Sequence, residues 1–175
     1  DVRSTRALAQ SKNARWLAQM TRCIFQAGFV WRVVDHKWDD FEDVFFGFPP
    51  EKIVLLSPEQ IDRFAQNPRI IRNRLKVFGT RQNARAFLAV QEEVGSFSDY
   101  IWGFVNHKPI QNSWRTTRDL PATGEISDRL SKDMKKRGFT FVGSTILYAH
   151  MQATGMVNDH TQDCFRRREC KKLAT

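Results

Sequence analysis

The sequence predicts an all-α fold: helical spacing of apolar residues recurs along its length, period-two alternation is scarce, and glycine or proline punctuates the helical runs. Its 175 residues suit one domain with a continuous core, expected to span residues 1–175. From Ser11 to Ala27 the apolar positions Ala14, Trp16, Leu17, Met20, Ile24 and Phe25 fall mostly on one stripe, and Gly28 sits where a left-handed cap is least strained. A short helix is expected through Trp31, Val33 and Val34, and another from Phe41 to Phe46, stopped by Pro49 and Pro50. Ser57-Pro58-Glu59-Gln60 offers an N-cap, a proline at the first helical position and a capping-box glutamine, so a helix from Pro58 to Gln66 follows. The longest helix covers Ile70 to Gln91, with Ile71, Leu75, Phe78, Ala86 and Val90 as buried candidates. Ser98 starts a helix carrying Tyr100, Ile101, Trp102 and Phe104, and His107 to Gly124 reads as the longest loop. A helix resumes at Ser127 and ends at Gly138, another runs from Ser144 to Thr154, and the basic tail 164–175 is expected to be partly disordered.

Composition narrows the function. With 41% hydrophobic residues and 14 phenylalanines, disorder of the whole chain is excluded. A net charge of +9 points to a phosphate-bearing partner, and between Arg69 and Arg85 there are six basic residues (Arg69, Arg72, Arg74, Lys76, Arg81, Arg85) without an acid. Such a run describes a solvated helix face as well as a phosphate track. Cys23, Cys164 and Cys170 show no secreted-scaffold spacing, which suits a reducing compartment. The opening DVRSTRALAQSKNAR lacks a signal-peptide stretch and no apolar run reaches membrane-spanning length, so a soluble cytoplasmic chain is expected. Ser-His-Asp, P-loop and dinucleotide patterns are absent.

The richest stretch is SDRLSKDMKKRGFTFVGSTILYAHMQATG. Two apolar-striped helices flank Gly138-Phe139-Thr140-Phe141-Val142-Gly143, the pattern of a helix-hairpin-helix over about residues 127–155. Glycines admit a phosphate close to the backbone, the amides of Gly143, Ser144 and Thr145 supply donors at a helix start, and Lys135, Lys136 and Arg137 supply counter-charge. This is sequence-independent grip on a DNA backbone, although the same pattern fits an αα-hairpin that merely packs.

GFTFVGSTILYAHMQATGMVNDHTQDC closely resembles the C-terminal signature of the DNA-3-methyladenine glycosylase I family. IIRNRLKV followed by NARAF, WGFVNHKP and QAGFVW resemble family blocks in the same order, covering about Met20 to Cys164. The resemblance implies a helix-hairpin-helix glycosylase fold and a monofunctional enzyme of base excision repair. Such an enzyme swings an alkylated purine out of the duplex and lets water hydrolyse its weakened glycosidic bond. It implies that Trp31 stacks on the extruded base, while Gln26, Ala27 and Gly28, with Phe29 beside them, plug the gap. A cation against an indole face gains about 0.5 to 2 kcal/mol.

Three departures stand out. The family's pocket glutamate, three residues before the turn's glutamine, is replaced by Cys23, a weak donor that carries no charge when buried. The family's upstream Tyr-His-Asp-x-Glu-Trp-Gly block has no counterpart before Trp16, itself a candidate neighbour of the pocket. His160 and Cys164 match two of the family's zinc ligands, but the N-terminal Cys and His are missing, so no metal or other cofactor is expected. Asp159, 16 residues after Gly143, is a secondary candidate for stabilising the sugar cation, with a cap or turn role as its alternative. Ser144 and Thr145 stand where bifunctional relatives carry a Schiff-base lysine, so strand cleavage is not expected.

The expectation is a monomeric glycosylase acting on double-stranded DNA that contains alkylated bases, with Trp31, Cys23 and Asp159 as the catalytic candidates. A non-catalytic DNA-damage or DNA-structure binder, or a glycosylase of altered lesion specificity, are the competing readings.

Overall fold

A computed structural model describes residues 12–173; Ser11, the residues before it and the last two of the basic tail lie outside the described residues. Among the described residues ten α-helices follow one another: α1 Lys12–Gln26, α2 Trp31–His36, α3 Trp38–Val44, α4 Pro50–Ile53, α5 Pro58–Gln66, α6 Arg74–Val94, α7 Phe97–Gly103, α8 Glu125–Lys136, α9 Ser144–Ala153 and α10 Phe165–Leu173. The Ser57–Gln60 capping box forms as expected, with Gln60 N–H donating to Ser57 Oγ at 3.2 Å and Ser57 N–H to Gln60 Oε1 at 2.8 Å. None of the described helices is long and apolar enough to cross a membrane.

Several boundaries differ from the sequence reading. Asn73 caps α6 by accepting from Lys76 N–H at 3.1 Å, so Ile70 and Ile71 precede the helix. Leu75, expected inside, is 72% exposed. The helix α3 starts at Trp38 and gives way to a left-handed run at Phe46, Gly47 and Phe48, after which Pro50 opens α4 instead of ending a helix. Ser96 rather than Ser98 caps α7, through Asp99 N–H at 2.9 Å. The expected loop His107–Gly124 contains a 3₁₀ turn at Thr117–Asp119 and a two-residue strand, β1 Ile110–Gln111, parallel to β2 Val157–Asn158. Two residues are too few for alternation to be legible. The described part of the tail is helix α10 rather than disorder, fastened by Asn158 Nδ2 donating to the Arg167 carbonyl at 3.1 Å and by Arg167 donating to the Asn112 carbonyl at 3.3–3.4 Å.

Two apolar clusters share α1 and α6. Leu17, Ala18 and Phe25 of α1, with Val77 and Ala84 of α6, join a cluster in which Trp38 stacks on Phe41 and Phe48 with ring centroids 5.4 Å apart. Met20 and Ile24, with Ala86, Phe87 and Val90, join the cluster beneath α7, α8 and α9. Each fully buried phenylalanine is worth about 1.5 to 3 kcal/mol relative to exposure. Because α1 and α6 are fastened into both clusters, the turn that follows α1 and the hairpin between α8 and α9 are held by a common frame.

Candidate active site

A cleft of about 610 Å³ opens at the C-terminal end of α1, lined by Cys23, by residues 26–31 and by Thr145, Ile146 and Ala149 of α9. The turn between α1 and α2 bends at Gly28, whose φ of +70° is strained for any side-chain-bearing residue. Two contacts fix it. Gln26 Nε2 donates to Asp35 Oδ1 at 3.1 Å, alongside Arg22 at 2.7 Å, and Lys76 Nζ reaches from α6 to the Ala27 carbonyl at 2.8 Å. Burial pushes the Lys76 pKa down. Phe29, Val30 and Trp31 are 47%, 65% and 61% exposed, an apolar ridge beside the cleft. Trp31 is therefore no core residue. Cys23 is buried, burial pushes its thiol pKa up, and Gln19 Nε2 lies 3.7 Å from its sulfur. Trp16 does not line the cleft; half-buried, it packs against Phe97 and His150.

The hairpin is docked on α6. Thr140 N–H donates to Asn83 Oδ1 at 2.8 Å, Asn83 Nδ2 returns to the Thr140 carbonyl at 3.1 Å, and Gln82 Nε2 donates to the Gly138 carbonyl at 2.9 Å. Gly79 permits this approach, since a Cβ there would meet the Phe141 ring at 3.0 Å. No side chain caps α9, leaving its first amides to outside acceptors. Gly143 has φ −63° and open space around a notional Cβ, so its lack of a side chain serves neither turn geometry nor internal packing. The Ser144 hydroxyl is already used: it bonds Asp128 and shares a 2.8 Å contact with the Ser127 hydroxyl, tying α8 to α9. Only its main chain is open to a phosphate.

The cations divide into engaged and free. Arg137, expected as counter-charge, is instead structural: it donates to Asp133 and Glu93 at 2.8 Å each and sits over the Tyr100 ring at 5.0 Å. Lys135 and Lys136 are exposed and pair with no described carboxylate. On α6 and just before it, Arg69 is held by Asp40 and Asp43, Arg74 by Asp62 and Lys76 by Ala27.

Asp159 is not placed for chemistry at this cleft. It is 8% exposed, lies outside the cleft lining, and both its oxygens are taken: Asn112 and Trp114 donate to Oδ1 at 2.7 and 2.8 Å, Tyr148 and Gln152 to Oδ2 at 2.6 and 2.9 Å. Burial pushes its pKa up, but the donors Trp114, Tyr148, Asn112 and Gln152 outweigh it and hold the carboxyl below its ordinary value. Its part is to anchor α9 and β2 to the stretch after β1. His160 Nδ1 and Cys164 Sγ lie 3.6 Å apart, yet no third His, Cys, Asp or Glu joins them among the described residues. A structural zinc needs four ligands, so the described residues do not fit one.

The family model described as methyladenine glycosylase matches residues 9–167. The chain belongs to that family. A DNA-3-methyladenine glycosylase of Haemophilus influenzae is 45% identical over 139 residues, covering 79% of this chain and 75% of the relative. DNA-3-methyladenine glycosylase 1 of Escherichia coli is 42% identical over the same length, covering 79% and 74%. A crystal structure of a 3-methyladenine DNA glycosylase I superposes with a TM-score of 0.84 at 37% identity, covering 89% of this chain and 86% of that one. The Staphylococcus aureus 3-methyladenine DNA glycosylase I superposes at 0.85 with 28% identity, covering 89% and 82%.

Within this methyladenine glycosylase family member, the cleft joins the local run of Cys23, Gln26, Ala27, Gly28, Phe29 and Trp31 to Thr145 from a distant segment, and its lining leaves out Lys135, Lys136, Arg137, Gly138, Gly143, Ser144 and Asp159. Sequence reasoning missed Lys76 as the prop of the turn and Asn83 as the clasp of the hairpin. The NARAF block carried a signal for Asn83, because an asparagine on the buried side of a long helix needs partners.

Proposed function

We propose that this chain is a monofunctional DNA glycosylase that releases alkylated purines of the 3-methyladenine type from double-stranded DNA, as a monomer, in base excision repair. The observation that carries the reading is the exposed Trp31 indole on the same cleft as the uncapped start of α9. A strand held by the amides of Gly143, Ser144 and Thr145 can deliver an extruded nucleotide to Trp31, while the ridge from Gln26 to Phe29 fills the vacated stack. A purine methylated at a ring nitrogen is cationic and is favoured against the indole by about 0.5 to 2 kcal/mol over its neutral parent. The glycosidic electron pair leaves with that base, which departs neutral, so no acid is required. Water attacks the sugar's anomeric carbon and loses its proton to solvent. The neutral Cys23 thiol shapes the cleft and carries no charge.

The test is release of free base from methylated duplex DNA by the purified chain. Trp31→Ala should lower single-turnover release by about 2- to 30-fold, as expected for loss of a stacking contact of about 0.5 to 2 kcal/mol. Binding without release of any alkylpurine would defeat the catalytic reading. It would favour the second one, recognition of damaged DNA without chemistry, which rests on the uncharged lining of the cleft.

A further inference from the structure

A second hollow, of about 400 Å³, borders the bend of the hairpin: Thr140 and Phe141 form one wall, and Phe78, Arg81 and Arg85 of α6 form the other. Unlike Arg69 and Arg74, these two arginines make no ion pair with a described carboxylate. The Nε of Arg81 is buried without a hydrogen-bond partner, a donor that an entering anion would satisfy. Glu59, whose carboxyl feels the charge of Arg81, is fully exposed and engaged first with Ser57. Apolar surface lies beside the charge: Leu75 at the rim is 72% exposed, and Phe78 carries the Arg74 guanidinium over its ring at 4.5 Å. Gln82, also in this wall, is bonded to the Gly138 carbonyl, which fixes the hollow to the hairpin.

We propose that this hollow is a second nucleotide subsite on the DNA track, in which Arg81 and Arg85 hold the phosphate of a nucleotide flanking the lesion and Phe78 and Phe141 meet its sugar or base. Paired arginines suit a phosphate through their forked donors, and rings beside them suit the rest of a nucleotide better than a bare anion. The hairpin then has a strand-binding surface at both ends, with the α9 amides by the base cleft and the arginines by the bend. The inference rests on the DNA-binding part of the proposed function and not on base release.

The experiment is fluorescence anisotropy with a duplex holding an abasic-site analogue, across a series of salt concentrations. R81Q/R85Q should bind about tenfold more weakly near 0.15 M salt, with a salt slope shallower by about one unit, as for the loss of one phosphate contact, and an unchanged melting temperature. R81K/R85K should keep the slope. Single methylphosphonate linkages beside the abasic site should reveal one position that weakens the wild-type chain and leaves R81Q/R85Q unaffected. Unchanged affinity and slope in R81Q/R85Q, while Lys136→Ala still weakens binding, overturns the subsite, as does an acidic peptide that occupies the hollow without competing with DNA. Duplex binding without base release defeats the glycosylase reading alone.

Discussion

His150 carries both ring nitrogens into the core with no hydrogen-bond partner, its ring 5.7 Å from that of Trp16. Burial pushes its pKa down from 6.5 to about 4. The unfolded chain therefore takes up this proton first as the solution is acidified. Stability from the neutral ring is complete above about pH 6.5, erodes as pH falls, and is gone below about pH 4, a loss on the order of 3 kcal/mol. Asp159 works in a lower window, since its depressed carboxyl adds stability above 3.8 that is lost as pH falls through the lower folded value. His150→Phe should therefore flatten the wild-type decline between pH 6.5 and 4 while leaving the steeper acid limb, as measured by urea unfolding at half-unit pH steps. A variant whose unfolding midpoint still falls like the wild type's would show that the ring is not the source.

At the scale of elements, the hairpin and α6 act as one part. Asn83→Ala removes the acceptor for the Thr140 amide and the donor for its carbonyl. A loss of about 2 to 3 kcal/mol in chemical denaturation is expected, with weaker DNA binding because the bend is no longer held. Gly143→Val should behave oppositely: open space surrounds a Cβ there, so the stability loss stays within about 1 kcal/mol, the cost of valine at an N-cap, while duplex affinity falls at least tenfold as the new methyls meet the phosphate. Equal affinity for the two proteins would make the hairpin a packing device only. The hairpin was legible in sequence because glycines bracket an apolar bend between two striped helices, and the cap at Ser57 because its chemistry is local. Partnerships were not legible. Asp133, one turn before Arg137, is a local i, i+4 partner, but nothing local tells that Glu93 completes the hold, or that Asp159 is surrounded by four donors, since Glu93, Asn112 and Trp114 arrive from distant segments. The same reason hid α4 and the short β1–β2 pair, whose few residues owe their conformation to neighbours.

Across the whole molecule the excess of +9 is unevenly available. Several cations are neutralised internally, by Asp35, Asp40, Asp43, Asp62, Asp133 and Glu93, while Lys135 and Lys136 remain at the surface beside the hairpin. Lys136→Ala should weaken binding to all duplex sequences alike and reduce the salt slope by about one unit, measured by titration at several ionic strengths. Sequence-selective weakening would argue for base reading by this lysine instead. Finally, Lys76 props the turn after α1 and Asn83 clasps the hairpin, and these two residues sit seven positions apart on α6. Seven positions are two helical turns, so both supports project from one side of a single rod about 10 Å apart. The turn after α1 and the hairpin are thereby kept at a set spacing, like jaws bolted to one bar. Neither jaw can shift without the bar, so a ligand that touches both, as in the function proposed above, meets two surfaces whose separation the protein has already set.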